Sequence, residues 1–291
     1  MDTDVLLPRG PRPDLQTAPS GRDELVVEMV GICKSFGGLQ ALRDVNLTVR
    51  RNEVLGLVGD NAAGKSTLMK ILTGAYHADH GSIRFDGAPA HIQRPQDSRR
   101  LGIEMIYQDL GLCAKRSVVA NLFLGRERNR MSLGFITVLD WPAMRRDARR
   151  ILSSLHIDIE SLDRPIEKLS GGQRQAVAIG RAVSFDPKLV IMDEPTASLA
   201  LKEVEAVLEL VRKLRTNGIS VIFISHRLQD VFSVADRIAV LRSGELVGAY
   251  PAAQVTPDEI VRLMFLGRAD SKVPPLSRGR VPPLSREEEA A

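Results

Sequence analysis

The segment GDNAAGKST, residues 59–67, constrains the fold of this chain more than any other stretch of its sequence. It follows an apolar run at 54–58, which is typical of a buried strand. It precedes Leu68, Ile71 and Leu72, which recur at helical spacing. The segment therefore turns a strand into a helix, and any fold proposed for this chain must contain that junction.

The same segment fits the pattern G-x-x-x-x-G-K-[ST] of a phosphate-binding loop through Gly59, Gly64, Lys65 and Ser66. In such a loop, backbone N–H groups and the helix N-terminus bind phosphates, the lysine reaches the β- and γ-phosphates, and the hydroxyl ligates Mg²⁺. The alternative is an ordinary glycine turn before a helix. Chance would give this pattern in roughly one chain of this length in a hundred, and the required strand and helix both flank it. We therefore interpret the segment as a nucleotide site.

The composition is that of a globular protein and argues against several function classes. The 291 residues are enough for one large domain or two small ones. The net charge of +4, from 40 basic and 36 acidic residues, is too small to predict nucleic-acid binding. Cys33 and Cys113 match no zinc or disulfide pattern, which favours a reducing compartment.

The sequence contains no apolar run near the roughly 18 residues that a membrane helix needs. Residues 1–20 lack the apolar core of a signal peptide. We therefore expect a protein that is made and kept in the cytosol, where it is able to dock on a membrane protein.

The first third of the chain predicts strands around the phosphate loop. Residues 1–22 are rich in Pro, Arg, Asp and Gly without a period, and we expect them to be disordered. Strand-like segments follow at 25–30, 45–49 and 82–85. We expect these segments to form an antiparallel sheet beside the phosphate-loop core.

The middle of the chain, about 96–184, predicts helices. Its clearest signal is an apolar stripe opposite a row of arginines. The stripe consists of Met144, Ala148, Ile151, Leu152 and Leu155, and the row consists of Arg145, Arg146, Arg149 and Arg150. We interpret the arginine face as solvated, with contact to acidic lipid or partner groups as the alternative.

Strands and helices alternate in the last third, which is the pattern of a parallel sheet with covering helices. The predicted elements are a strand at 189–192, a helix at 203–214, a strand at 221–224 and a closing hairpin at 236–241 and 245–249. Residues 268–291 contain the repeat VPPLSR, at 273–278 and 281–286. We expect this Pro-rich tail to be disordered, with a polyproline docking motif as the alternative.

Two carboxylates follow the apolar strand at 189–192. A buried parallel strand that ends in Asp193 and Glu194 delivers acids to the edge of the sheet where ligands bind. Asp193 would hold the Mg²⁺ shell, and Glu194 would orient and deprotonate an attacking water. The alternative is that Asp193 and Glu194 form a capped turn after a strand. The phosphate loop earlier in the chain favours the functional interpretation over this one.

The segment LSGGQRQ, residues 169–175, precedes a helix rich in Ala and Val. Ser170 is a natural N-cap, and Gly171 and Gly172 free the backbone to approach a ligand. The segment is either a glycine-rich helix start or a second anion-binding helix end.

LSGGQRQ closely resembles the signature motif of ATP-binding cassette ATPases, and further motifs occur in the order of that family. Gln108 resembles the glutamine of the Q-loop, and His226 resembles the switch histidine. Phe36, which by sequence alone would be a core residue, resembles the aromatic residue that stacks on adenine. The resemblance covers roughly residues 25–267.

The resemblance implies an α/β fold: a P-loop NTPase core with a mostly parallel sheet, an antiparallel β subdomain and a helical subdomain. It implies a single cassette at 23–267, with its core at about 23–95 and 185–267 and its helical subdomain at about 96–184.

The resemblance also implies ATP hydrolysis with ATP and Mg²⁺ bound. Gln108 would join Mg²⁺ or the attacking water, and His226 would hydrogen-bond the γ-phosphate. The implied catalytic residues are Glu194, His226 and Gln108; the implied metal ligands are Ser66, Gln108 and Asp193; the implied nucleotide-binding residues are Phe36, Gly59, Asn61, Gly64, Lys65, Ser66, Thr67, Ser170, Gly171, Gly172 and Gln173.

In this family, the signature motif closes on ATP bound to an opposite cassette. We therefore expect a homodimer or a pair with a second cassette. The phosphate loop, the Q-loop segment YQDL and the segment VANLFLGRE at 119–127 look like those of monosaccharide importers of the ribose, xylose and fructose type.

Membership of that branch implies that transmembrane permease subunits dock at residues 109–126. It implies a sugar-binding protein outside the cell and a peripheral position on the cytoplasmic face of the inner membrane. No direct nucleic-acid partner is expected. The competing interpretation is a soluble cassette that acts on ribosomes or DNA. A third, an inert nucleotide-binding regulator, is disfavoured by Glu194 and His226.

Two positions depart from the common family pattern. Ala62 replaces a common glycine, which a small side chain tolerates, and this variant is itself similar to the sugar branch. Ala200 stands where many cassettes have the D-loop aspartate, so we expect communication between the paired sites to differ. Many relatives in the sugar branch carry two cassettes per chain, whereas the sequence here predicts one.

Overall fold

Parallel strands rich in Val, Ile and Leu form the centre of the fold. The computed structural model describes residues 24–133 and 136–267. A six-stranded sheet has the order β12-β11-β3-β10-β9-β6. All its neighbouring pairs are parallel except β11 and β12, which form an antiparallel hairpin. The strands are β3 (Val54–Val58), β6 (Ile103–Ile106), β9 (Leu189–Asp193), β10 (Ser220–Ile224), β11 (Arg237–Arg242) and β12 (Glu245–Pro251).

A second sheet, with order β2-β1-β4-β5, is antiparallel throughout. Its strands are β1 (Leu25–Phe36), β2 (Leu39–Arg50), β4 (His80–Phe85) and β5 (Ala88–Pro89). The predicted antiparallel sheet is therefore confirmed. A separate hairpin is formed by β7 (Asn129–Leu133) and β8 (Ile136–Leu139).

Helices cover both faces of the central sheet. They are α1 (Lys65–Leu72), α2 (Pro95–Leu101), α3 (Val118–Leu122), α4 (Trp141–Ser154), α5 (Gly171–Val183), α6 (Leu201–Thr216), α7 (Leu228–Val234) and α8 (Pro257–Leu266). No helix within the described residues is both long enough and apolar enough to cross a membrane.

The central strands alternate their side chains between two cores, because successive residues of a strand point to opposite faces. Leu55 and Leu57 of β3 pack with α1 and the antiparallel sheet. Val54 and Val58 pack with α5, α6, α7 and α8. The strands are thus buried on both faces, which accounts for their continuous apolar sequence.

A third core joins α3, α4 and α5. Met144, Ala148, Leu152 and Leu155 of the predicted apolar stripe are buried. The opposite face is solvated as predicted, and Arg145 forms an exposed ion pair with Asp163 at 2.9 Å.

One strand differs from the sequence prediction. β6 lies inside the segment 96–184, which the resemblance places in a helical subdomain, yet it pairs with β9 at the edge of the central sheet. The assignment was wrong there because β6 has only four residues, IEMI, and so short a segment shows no clear period. β7 and β8 also lie in that segment. The predicted disordered segments 1–22 and 268–291 lie outside the described residues.

β6 also carries a buried charge. Glu104 is 8% exposed and lies 3.5 Å from Arg126 and 3.8 Å from Arg99. The Arg126 guanidinium stacks 3.4 Å above the Phe185 ring. Burial raises the pKa of Glu104, and the neighbouring arginines oppose that rise.

Candidate nucleotide-binding site

The phosphate-binding loop joins β3 to α1, as the sequence predicts. Gly64 stands at the N-cap of α1 with φ 101°, a left-handed conformation that favours glycine. A Cβ atom on Gly64 would lie 2.8 Å from the Ala41 carbonyl oxygen. Ala62 has φ 66°, which explains why glycine is common at this position. The backbone of the loop is therefore fixed by close packing against β2.

Lys65 folds back across the loop. Its Nζ donates hydrogen bonds to the carbonyl oxygens of Gly59 at 2.7 Å and Asp60 at 3.0 Å. Burial lowers the pKa of Lys65, and the carboxylates of Glu194, Asp193 and Asp60 oppose that effect. The ammonium group is thus held in the concave side of the loop, where an anion would meet it.

Asp193 ends β9 beside the loop. Burial raises its pKa, and the neighbouring Glu194 raises it further, while Lys65, Lys70 and a hydrogen bond with Ser66 act in the opposite direction. Because both groups present hard oxygen donors, the Asp193 carboxylate and the Ser66 hydroxyl fit Mg²⁺. The described part of the chain has no cluster of three or more His, Cys, Asp or Glu side chains arranged for a metal ion.

Glu194 and His226 meet because β9 and β10 are adjacent and parallel. Asp193 and Ile224 are paired in register, so the loops after both strands leave the sheet at the same edge. His226 Nδ1 lies 2.8 Å from Glu194 Oε2. Glu194 has φ 51° and its N–H donates to the Ile224 carbonyl at 2.9 Å. The Glu194 carboxylate and the His226 imidazole are thereby brought into direct contact.

Gln108 follows β6, the other neighbour of β9. Gln108 lines a cavity together with Lys65, Asp193, Glu194 and His226. The cavity has a volume of about 860 Å³. The sequence-predicted residues in the cavity lining are Phe36, Gly59, Asn61, Gly64, Lys65, Ser66, Thr67, Gln108, Asp193, Glu194 and His226. Residues from both sheets and from four separate loops are therefore brought to one site.

Phe36 forms one wall of this cavity at the end of β1. It is 43% exposed, so it is not the core residue that its sequence context alone would predict. Its ring makes an edge-to-face contact with Tyr76, with centroids 5.3 Å apart. Lys34 Nζ lies 5.5 Å from the ring centroid. An exposed, fixed aromatic face of this kind stacks well on a base.

The signature residues lie elsewhere. Ser170 caps α5, its Oγ accepting from Gln173 N at 3.2 Å while Gln173 Oε1 accepts from Ser170 N at 3.1 Å. The described lining of the 860 Å³ cavity includes none of Ser170, Gly171, Gly172 and Gln173. The structure therefore separates these residues from the phosphate-binding loop of their own chain.

Sequence reasoning missed several residues at the site. Arg43 of β2, Gly244 in the β11–β12 turn and Met264 of α8 also line the cavity, and no motif marks them. It also missed a buried hydrogen bond, from Thr196 Oγ1 to Asp230 Oδ2 at 2.7 Å. The sequence did contain a signal for this bond: Asp230 follows His226 closely in the chain and lies on the apolar face of α7.

Comparison with known proteins identifies the family. The family model described as "ABC transporter" matches residues 42–197, which is more than half of the chain. The chain belongs to the ABC transporter family. The match begins in β2 and ends after Glu194, so it includes the phosphate-binding loop, Gln108 and the signature motif of the cassette.

Curated relatives of the cassette are named as sugar import proteins. The ribose import ATP-binding protein RbsA 2 of Rubrobacter xylanophilus is 45% identical over 247 residues, covering 85% of this chain and 47% of the relative. The galactose/methyl galactoside import ATP-binding protein MglA of Pasteurella multocida is 39% identical over 257 residues, covering 88% and 50%. The chain thus spans about half the length of these relatives.

Solved structures confirm the predicted fold class. A crystal structure of an ATP-binding cassette of an ABC transporter, in its ADP conformation, superposes with a TM-score of 0.71 and 28% identity. The match covers 82% of this chain and 94% of that one. The mostly parallel core, the antiparallel sheet and the helices between them are therefore those of an ABC cassette.

Proposed function

We propose that this cassette hydrolyses ATP and energises the import of a monosaccharide through a partner permease. The observation that carries the proposal is the single cavity in which Lys65, Gln108, Asp193, Glu194 and His226 converge. The printed names of the relatives, ribose import and galactose import proteins, support sugar as the transported class.

Each part of the cavity has a chemical role in this proposal. The loop amides and Lys65 hold the phosphates, and Phe36 stacks on the adenine. Water attacks the γ-phosphorus, the bond to the β–γ bridging oxygen breaks, and ADP and phosphate form. Glu194 accepts the proton of the attacking water, and His226 holds both the Glu194 carboxylate and a γ-phosphate oxygen. Asp193, Ser66 and Gln108 would hold Mg²⁺, which neutralises phosphate charge when bound.

The position of the signature motif supports a paired arrangement. Ser170, Gly171, Gly172 and Gln173 lie outside the cavity of their own chain, so they would close on ATP held by a second cassette. The partner would be another copy of this chain or a different cassette. Two nucleotides would then lie between the two cassettes.

Transport requires contact with a membrane partner. Residues 109–126 follow Gln108 and include several exposed side chains, among them Leu124 at 46% exposure. We assign this surface to permease subunits at the cytoplasmic face of the membrane. A sugar-binding protein outside the cell would deliver the sugar to those permease subunits.

The ATPase proposal is tested by comparing the purified parent with Glu194→Gln and Lys65→Ala. Glu194→Gln should bind ATP, form a pair on gel filtration and turn over very slowly, whereas Lys65→Ala should lose binding and turnover together. A Glu194→Gln protein that hydrolyses ATP at the parent rate would contradict the role of Glu194. A strictly monomeric Glu194→Gln protein in ATP would contradict pairing with itself.

The transport proposal needs a test in cells. Solubilised membranes that carry the tagged Glu194→Gln protein should yield permease subunits on affinity purification. Recovery of ribosomes or DNA, with no permease, would favour the competing soluble function instead.

A further inference from the structure

Glu203 connects two segments that would face a partner cassette in the proposed pair. It lies in the first turn of α6, soon after the loop that contains Ala200. Its Oε1 accepts a hydrogen bond from Gly172 N at 3.0 Å, and its Oε2 accepts one from Ala200 N at 3.1 Å. One carboxylate therefore binds the signature helix and the D-loop of the same chain.

The aliphatic part of Glu203 packs closely against the start of α5. A Cβ atom on Gly172 would lie 3.0 Å from Glu203 Cβ and 3.1 Å from Glu203 Cγ. A Cβ on Gly171 would lie 2.8 Å from Leu199 Cδ2 and 3.4 Å from Glu203 Oε2. The glycine pair thus lets α6 approach α5. This is a structural role, in addition to the approach of a ligand that the sequence predicts for these glycines.

Electrostatics also favours the ionised carboxylate here. Gly172 is the second residue of α5, and its amide is among the first N–H groups of that helix, which lack intrahelical partners. Such groups attract anions. The hydrogen bond from Gly172, together with those from Ser170 and Ala200, lowers the pKa of Glu203. The Glu203 side chain is therefore an internal anion at the start of the signature helix.

We propose that Glu203 competes with the γ-phosphate of the partner's ATP for the Gly172 amide, and that closing the cassette pair displaces it. This inference rests on the proposed pairing. Two negative groups cannot share one N–H donor without a cost in free energy, so the phosphate must take the place of Glu203. Displacement also breaks the hydrogen bond that Ala200 N donates to Glu203. The conformation of the D-loop then depends on whether ATP is bound at the signature motif.

The test compares Glu203→Gln with the parent sequence, both in the Glu194→Gln background that stops turnover. The glutamine is nearly isosteric and still accepts hydrogen bonds, but it lacks the charge. We expect half-maximal pairing, followed by gel filtration, to need about twofold to fivefold less ATP, because the charge that competes with the phosphate at the start of α5 is gone. ATP binding to dilute monomer should be unchanged.

Glu205→Gln is the matched control, since it removes a charge from an exposed position of the same helix. Glu203→Ala, checked for folding by thermal unfolding, should change pairing in the same direction as Glu203→Gln. An unchanged or higher ATP requirement in both Glu203 variants would overturn the competition and leave Glu203 as a support for α5. A background protein that binds ATP but never pairs would instead overturn the proposed pairing, and this inference with it.

Discussion

Thr196 and Asp230 join the two loops that hold the carboxylate and the imidazole of the site. Thr196 Oγ1 donates a 2.7 Å hydrogen bond to Asp230 Oδ2. Thr196 is 0% exposed and Asp230 is 4% exposed. Arg227 Nε lies 3.4 Å from the same carboxylate oxygen. The bond therefore spans the loop after Glu194 and the helix after His226, at a point that water does not reach.

Replacing Thr196 with valine should loosen this junction. The variant leaves a buried carboxylate oxygen without its hydroxyl donor, so we expect the free energy of unfolding to fall by about 1–3 kcal/mol. ATP turnover should fall more than ATP affinity, because Glu194 and His226 lose their fixed separation. Urea unfolding and steady-state ATPase assays measure both effects. Thr216→Val, at an exposed hydroxyl on α6, is the control. Parent-like unfolding of Thr196→Val would exclude this role.

Phe36 should contribute to base binding and not to phosphate binding. Phe36→Ala is expected to weaken ATP binding by about 1–3 kcal/mol, the usual range for aromatic stacking on a base. Binding of tripolyphosphate should not change, since it has no base. Calorimetry with both ligands distinguishes the two contributions. Phe265→Ala removes another exposed aromatic ring, 59% exposed on α8, and should leave both affinities unchanged. Equal loss for both ligands would indicate a general structural effect of Phe36→Ala.

Position 64 should tolerate only glycine, because a side chain there would clash with its neighbours and because the backbone has a positive φ. Gly64→Ala puts a Cβ 2.8 Å from a backbone oxygen at φ 101°, so we expect loss of nucleotide binding and a fall in stability of several kcal/mol. Gly37 also has positive φ, at 56°, but no atom lies within 4 Å of its added Cβ. Gly37→Ala should therefore cost only about 1 kcal/mol. Similar unfolding midpoints for the two variants would show that contact with Ala41 is unimportant.

Glu104 should make stability depend on pH in a defined direction. Because burial raises its pKa above the ordinary value of 4.5, its contribution to stability is largest below that value and is lost as pH rises through the folded pKa. Glu104→Gln removes this dependence, so the parent should lose stability relative to the variant as pH rises from 4.5 toward neutrality. Urea unfolding across that range measures the difference. Glu160→Gln, at a side chain 92% exposed, controls for the loss of one negative charge. A difference that shrinks with rising pH would contradict this assignment.

The parts of the site that the sequence predicts are local in the chain. The phosphate-binding loop is a continuous segment whose spacing alone specifies its geometry, so β3, α1 and Lys65 could be placed from residue order. Asp193 and Glu194 could be placed as well, because a buried parallel strand must end at the ligand-binding edge.

The parts that could not be predicted depend on contacts between distant residues. β6 is too short for a periodic signal. It forms a strand because it pairs with β9, a strand distant from it in the chain. The contact of Glu203 with Gly172 depends on how α6 packs against α5. The bond between Thr196 and Asp230 likewise joins residues that only the folded sheet brings together. No spacing rule marks such pairs.

The left-handed backbone of Glu194, with φ 51°, destabilises the folded chain relative to a glycine at this position. A non-glycine residue in this conformation costs about 1 kcal/mol or more relative to glycine. Glu194→Gly should therefore unfold at a higher temperature than the parent while hydrolysing almost no ATP. Stability and turnover oppose each other at this position, so a chain that has lost its activity there would persist in the cell, and protein abundance alone would not reveal the defect.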